Sequence, residues 1–99
     1  MNYYNYKILY KKSAEKFLMS NKIEGLKFYK AFKELTESNE NVKKYDIKKY
    51  HCSNDYTYRL RIGSNRALFE VHQDRIVVIV LDIGSRGDIY KKRKVTTQL

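Results

Sequence analysis

The chain has 99 residues, enough for one domain with a single modest hydrophobic core. It carries 21 lysines and arginines against 11 acidic residues, which gives a formal net charge of +10. At this size, so large a positive excess favours a polyanionic partner: nucleic acid, a membrane surface or an acidic protein. For the lysines alone, a generically basic surface remains an equal alternative.

Several classes of protein are excluded by composition. The single cysteine, Cys52, excludes an intramolecular disulfide framework and a cysteine-based zinc site. No segment is apolar over the ~18 residues that a membrane span needs, and the N-terminus lacks the apolar region of a signal peptide. We therefore expect one cytoplasmic domain over residues 1–99 that has no membrane partner.

The first predicted elements are a strand and a short helix. Aromatic and β-branched side chains alternate with more polar neighbours over residues 3–10, which is typical of a half-buried strand. Its buried face is expected to hold Tyr4, Tyr6, Ile8 and Tyr10. Ser13 is the expected N-cap of a helix over residues 13–20. The apolar face of that helix is Ala14, Phe17 and Leu18.

A longer helix is predicted from Asn21 to about residue 38, where a polar run closes it. Glu24, three residues after Asn21, completes a variant of the capping box. Gly25 weakens this helix by about 1 kcal/mol relative to alanine. The apolar stripe is predicted to be Phe28, Ala31, Phe32 and Leu35, with Leu26 and Tyr29 alongside.

Residues 42–57 are less regular. The stretch KKYDIKKY, residues 43–50, is compatible with a short strand, and the SND that follows is a turn signal. Two interpretations of its lysines stay open: they extend a positively charged surface that binds nucleic acid, or they form a solvated face. These lysines are Lys43, Lys44, Lys48 and Lys49.

Arginine is concentrated between Tyr58 and Tyr90. Five of the six arginines lie there: Arg59, Arg61, Arg66, Arg75 and Arg86. Period-two alternation places Arg59 and Arg61 on one face of a strand and apolar residues on the other. If the hairpin loop is Ser64-Asn65, residue 61 faces 68 and Arg59 faces Glu70 as a cross-strand ion pair. Arg66 and Glu70 then share the face of Arg59 and Arg61.

The last strong element is a strand over residues 76–81, whose six consecutive apolar residues predict a central strand buried on both faces. We expect it to break at Asp82. A turn at residues 73–74 would place Arg66 opposite about residue 81, so that Arg66 and Arg86 lie near one edge. Residues 88–92 are expected to form a helical turn carrying Tyr90, followed by a loose basic tail over 91–99.

These elements predict an α+β domain in which two N-terminal helices pack on a mostly antiparallel sheet of about four strands. The planar guanidinium binds phosphate in a bidentate manner, so the cluster of arginines favours a phosphate site. The alternative is that the arginines only pair with acidic residues of the same chain. No histidine cluster or Gly-rich loop competes, and no metal or cofactor is expected. The two histidines, His51 and His72, are expected to be surface residues.

The segment from Tyr58 to Tyr90 resembles the C-terminal half of RelE/ParE-superfamily toxins of bacterial toxin–antitoxin systems. The matching features are the basic strand YRLR, Arg66 at the start of the next strand, the apolar strand, and the ending R-x-x-x-Y from Arg86 to Tyr90. The resemblance extends over roughly residues 3–91. It implies the element order β-α-α-β-β-β and a single toxin domain.

RelE-type members of this family cut mRNA in the ribosomal A site without a metal. The resemblance therefore implies a ribosome-dependent endoribonuclease in which the 2′-hydroxyl attacks the adjacent phosphate, leaving a 2′,3′-cyclic phosphate and a 5′-hydroxyl. It also implies a small acidic antitoxin as partner. A ParE-like toxin that poisons DNA gyrase without cutting RNA is the alternative, and a catalytically weak nucleic-acid-binding relative is a third.

The resemblance assigns roles to individual residues. Arg59 and Arg61 would hold the RNA backbone and help to activate the nucleophile, and Arg66 would stabilise the phosphate. Arg86 would stabilise the transition state or protonate the leaving oxygen, and Tyr90 would stack on a base. Further contacts to RNA are expected from Lys48, Lys49 and Lys91. Ser85 departs from relatives that carry His or Lys there, which leaves the proton donor unassigned.

Overall fold

The computed structural model describes residues 3–85. The predicted helical turn at 88–92, the tail at 91–99, and Arg86, Tyr90 and Lys91 lie outside the described residues. The chain forms β1 (Lys7–Tyr10), α1 (Lys12–Ser20), α2 (Lys22–Glu37), a 3₁₀ helix (Asn39–Lys44), β2 (Asp46–Lys49), β3 (Thr57–Ile62), β4 (Asn65–His72) and β5 (Val77–Ser85). No helix among these is long and apolar enough to span a membrane.

The strands form one sheet in the order β1-β5-β4-β3-β2. Among the strands of residues 3–85, β1 and β5 pair in parallel, and the other three pairs are antiparallel. The predicted α+β class, with two helices on a mostly antiparallel sheet, is confirmed. In the described part of the chain the sheet has five strands rather than about four, because β2 pairs along its whole length with β3.

The first strand is shorter than predicted. Residues before Lys7 form a turn in which Asn5 has a φ of 67° and donates its N–H to the carbonyl of Thr36 in α2. This turn buries Tyr3, which is 1% exposed, and leaves Tyr4 57% exposed. The prediction that Tyr4 faces the core is therefore wrong, whereas the other three residues of that face do pack against the core.

The helices bury the predicted stripe. Phe28, Ala31, Phe32 and Leu35 are all buried, and Phe32 meets Phe69 of β4 edge-to-face with ring centroids 5.2 Å apart. Leu26 and Tyr29 are instead 65% and 51% exposed, because they lie beside the stripe and not on it. Asn21 does precede α2, but its side chain donates to the carbonyl of Phe17 and forms no capping box.

Ser13 and Asp82 connect α1 to the sheet. Ser13 is not the N-cap of α1; its hydroxyl donates to the Asp82 carboxylate at 2.8 Å. Because β1 ends at Tyr10, α1 runs beside the second half of β5, where Asp82 is 3% exposed. The predicted break at Asp82 is therefore wrong, and β5 continues to Ser85.

A β-bulge in β5 explains how the strand continues. Phe69 pairs with Val80 and Leu68 with Asp82, so β5 has one extra residue, Leu81, at this point. The bulge reverses the alternation of side chains, which returns Ile83 to the core after Val80.

We predict that Gly25→Ala destabilises the fold although alanine favours helix. A Cβ at this position would lie 2.9 Å from the Cα of Leu18 in α1, so the two helices would have to move apart. The helix propensity gained is about 1 kcal/mol, but overpacking costs about 1–3 kcal/mol. Urea unfolding should show a net loss, whereas Leu26→Ala, on the exposed side of α2, should change stability by less than about 0.5 kcal/mol. A Gly25→Ala protein as stable as the wild type would contradict this.

A second prediction concerns pH. The Tyr45 hydroxyl donates to the carboxylate of Glu34, which ties the residue before β2 to α2. This hydrogen bond lowers the pKa of Glu34, while burial and the same bond raise the pKa of Tyr45 to about 12. A lowered carboxylate pKa stabilises the fold above the unfolded pKa of about 4.3, and the contribution is lost as pH falls through the folded pKa. Tyr45→Phe should therefore reduce stability at pH 7 and have a smaller effect at pH 3.

Tyr56→Phe, which removes an exposed hydroxyl, is the control for this prediction. An equal effect of Tyr45→Phe on stability at both pH values would contradict it.

Candidate functional site

The pairing of β3 with β4 places three arginines together. Arg61 lies directly opposite Arg66, and Arg59 is two residues further along β3. Leu60, Ala67 and Phe69 alternate with them and are buried beneath the helices. The arginines therefore occupy the other side of the sheet, here named the arginine face. Standard sheet spacings place the three Cα atoms within about 8 Å of one another.

The hairpin register differs from the prediction, yet the faces are the predicted ones. Ile62 pairs with Asn65, so the loop is Gly63-Ser64 and not Ser64-Asn65. Gly63 has a φ of 61°, at the first central position, where type II′ turns place glycine. The partner of each β3 residue is shifted by two positions. A shift of two residues preserves every side chain's face, whereas a shift of one would have reversed it.

The two-residue shift changes the ion pairs. Glu70 faces Thr57, not Arg59, so the predicted Arg59–Glu70 pair does not form. Arg59 instead reaches β2, where its Nη1 lies 3.4 Å from a carboxylate oxygen of Asp46 and donates to the Asp46 carbonyl at the same distance. The Arg59 side chain is only 14% exposed. Asp46 thus fixes the guanidinium against the sheet.

Arg61 differs from Arg59. Its Nε donates to the carbonyl of Gly63 at 3.4 Å, and no carboxylate within residues 3–85 forms an ion pair with it. Neighbouring guanidiniums repel one another, and a polyanion bound across them would relieve that repulsion. The interpretation that the arginines serve only internal ion pairs therefore does not apply to Arg61.

The two predicted lysines of β2 do not share a face. Lys48 pairs with Arg59 and lies on the arginine face, whereas Lys49 pairs with Tyr58 and points to the opposite side. Tyr58 stacks on Phe69, which identifies that opposite side as the one covered by helices. Lys48 therefore extends the basic surface across the sheet, and Lys49 lies at its edge.

Arg86, Tyr90 and Lys91 lie outside the described residues, but the strand that leads to them is described. Arg66 pairs with Gly84 and Asn65 with Ser85, whereas the sequence predicted residue 81 opposite Arg66. The bulge at Leu81 and the longer β4–β5 turn account for the difference. β5 thus ends next to the start of β4, one residue before Arg86 in the sequence.

Sequence reasoning missed the partners of the polar residues on this face. Asp46 was not recognised as the anchor of Arg59, although its period-two spacing from Lys48 was a usable signal. His72, expected on the surface, is 17% exposed and lies 2.8 Å from the Glu70 carboxylate. His51 is exposed, as expected. In the described part of the chain, no three His, Cys, Asp or Glu side chains are grouped to hold a metal ion.

Comparisons with known proteins agree with this architecture. No protein-family model and no curated protein matches the sequence. Several solved structures do match this chain. A chain of the archaeal RelE–RelB complex from Pyrococcus horikoshii is 26% identical, with a TM-score of 0.68, over 84% of this chain and 97% of that one. A chain of the RelB–RelE antitoxin–toxin complex from Methanococcus jannaschii is 27% identical, with a TM-score of 0.66, over 85% and 96%.

A third structure shows the same fold at lower identity. It is a chain of the toxin–antitoxin complex RelBE2 from Mycobacterium tuberculosis, 21% identical, with a TM-score of 0.61, over 86% of this chain and 95% of that one. In each comparison nearly the whole length of the solved chain is matched. These matches show that the chain has the fold of the solved RelE toxins, and they support a place in the RelE superfamily.

Proposed function

We propose that this protein is the toxin of a type II toxin–antitoxin system and that it cleaves mRNA on the ribosome as a metal-independent endoribonuclease. The observation that supports this most is the arrangement of Arg59, Arg61 and Arg66. They lie side by side on the side of the sheet opposite the helices, at the end where β5 leads to Arg86. Neighbouring guanidiniums can bind the phosphates of an RNA backbone, which favours the ribonuclease over a gyrase poison.

The proposed reaction is an internal transesterification. The 2′-oxygen forms a bond to the adjacent phosphorus and loses its proton, while the bond from phosphorus to the 5′-oxygen breaks and that oxygen gains a proton. The products are a 2′,3′-cyclic phosphate and a 5′-hydroxyl. Negative charge builds on the phosphoryl oxygens in the transition state, where fixed cations stabilise it most.

Each arginine has a distinct part in this proposal. Arg61 and Arg66, directly opposite each other, bind the phosphate under attack, and Arg59 binds the backbone beside it. Arginine stays protonated at any physiological pH, so these three residues act electrostatically and do not carry the protons. Arg86 would complete the charge around the phosphate and Tyr90 would stack on a base, both as the sequence resemblance implies.

We further propose a small acidic antitoxin as the partner of this toxin. The solved neighbours are toxin–antitoxin complexes with RelB, and this chain carries a net charge of +10. An acidic protein that covers the arginine face would neutralise that charge and exclude RNA from the site. The single domain would act in the cytoplasm, where the ribosomes are.

Arg66→Ala tests the proposed site, with Arg75→Ala as the matched control. Both variants remove one arginine, but Arg75 is exposed in the β4–β5 turn at the far end of β4 from Arg66. Removing one group that stabilises transition-state charge costs on the order of 10²–10³ in rate. Induced Arg66→Ala should therefore no longer arrest growth, whereas Arg75→Ala should arrest it as the wild type does. Circular dichroism should show that both variants fold.

Mapping of mRNA 5′ ends after induction separates the two candidate activities. Cuts within translated codons that disappear with Arg66→Ala support the ribonuclease. Growth arrest with a DNA-damage response, no new mRNA ends and full toxicity of Arg66→Ala would refute it and favour a gyrase poison.

A further inference from the structure

A basic pocket lies at the end of the edge strand β2, apart from the Arg61–Arg66 pair. It has a volume of about 310 Å³ and is lined by Lys48, Lys49, Tyr50, His51 and Arg59. The lining contains two lysines, an arginine and two aromatic rings, and the Asp46 carboxylate lies next to it, 3.4 Å from Nη1 of Arg59. This composition is that of a subsite for a nucleotide, with cations for the phosphate and a ring for the base.

The cations of the pocket are held in place by the sheet. Lys48 pairs with Arg59 across β2 and β3, so both side chains leave the same face at the same level. Arg59 is held by Asp46, and its side chain is 14% exposed. A fixed guanidinium loses little conformational freedom when it binds an anion. Lys48, on the exposed edge, supplies a second charge.

The ring of His51 completes the pocket. Tyr50 donates its N–H to the carbonyl of Thr57, which continues the β2–β3 ladder just past Lys49 and positions the next residue at the sheet edge. His51 is exposed there. Exposed rings beside cationic side chains are the arrangement on which single-stranded bases stack.

We propose that this pocket binds one flanking nucleotide of single-stranded RNA, with its phosphate on Arg59 and Lys48 and its base stacked on His51. The inference rests on the proposed ribonuclease function and extends it. The pocket lies on the side of Arg59 away from the Gly63-Ser64 turn. Tyr58, which pairs with Lys49, is three residues or about 10 Å along β3 from Arg61. The pocket therefore holds a nucleotide next to the cleaved one and gives the RNA a direction across the sheet.

Both mRNA and ribosomal RNA can supply a nucleotide with a phosphate and an unpaired base. A test on ribosomes programmed with a defined mRNA distinguishes the two sources. Single-turnover cleavage of ribosome-bound mRNA is measured against toxin concentration, which gives a half-saturating concentration and a maximal rate. Lys48→Ala and His51→Ala should each raise the half-saturating concentration about tenfold, within the range for one lost stacked base or phosphate contact, and leave the maximal rate unchanged. His51→Phe keeps a ring and should behave as the wild type. Lys33→Ala, which removes an equal charge from the exposed side of α2, is the control.

Abasic mRNAs identify the base that stacks on His51. Each flanking nucleotide of the mRNA is replaced in turn by an abasic site. The wild type should need a higher half-saturating concentration when one particular position is abasic, and His51→Ala should be insensitive to that change. His51→Ala could raise the half-saturating concentration while no abasic mRNA position affects the wild type and His51→Ala differently. In that case the stacked nucleotide belongs to ribosomal RNA, and the pocket remains an RNA subsite.

Other outcomes would overturn the proposal. If the wild type cleaves and the half-saturating concentrations of Lys48→Ala and His51→Ala equal that of Lys33→Ala, the pocket is not an RNA subsite. The proposed ribonuclease function would then stand. If the two variants cleave normally but lose binding to the acidic antitoxin, the pocket binds protein. If the wild type makes no cut on programmed ribosomes, the proposed function fails, and the subsite fails with it.

Discussion

The antiparallel pairing of β3 with β4 is the constraint on which the rest of the molecule depends. Side chains alternate across a sheet, so one register assigns Leu60, Ala67 and Phe69 to the helix side and the three arginines to the other face. Core packing enforces this register, because a slip of one residue would drive Arg61 under the helices and expose Leu60 and Ala67, both now fully buried. The burial of apolar side chains therefore also holds the arginines in position. The stability of the core and the positions of the arginines are therefore coupled through the backbone.

The two ends of the sheet are fixed by polar contacts of different kinds. On one side Asp82 accepts hydrogen bonds from Ser13 and from the N–H of Ile83, which attaches α1 to the last part of β5. A buried carboxylate is tolerated only where such donors compensate its lost hydration. On the other side the hydroxyl of Tyr45 ties the start of β2 to α2. The first contact positions the strand that leads to Arg86, and the second positions the edge strand that carries Asp46 and Lys48.

The sequence predicted those features that repeat with a fixed period. The stripe from Phe28 to Leu35 and the two faces of the β3–β4 hairpin follow from the 3.6- and 2-residue periods, and all were confirmed. Features that depend on one local event were missed. The bulge at Leu81, the turn that buries Tyr3 and the two-residue shift of the hairpin leave no periodic trace. Ser13 was interpreted as a cap because local sequence does not reveal a partner 69 positions away. The partner of Arg59 was missed for the same reason.

Arg59 pairs with Asp46 and Glu70 with His72, where the sequence predicted an Arg59–Glu70 pair. This difference changes the charges around the site. Had Glu70 paired with Arg59, its carboxylate would have been the ion-pair partner of that guanidinium. In the observed register Glu70 pairs with His72 further along β4, and Asp46 approaches Arg59 from the edge strand. Asp46 is 44% exposed, so solvent screens its charge while its oxygens still orient the guanidinium. Asp46 thus aligns Arg59 from the edge strand, and Glu70 is held by His72 away from Arg59.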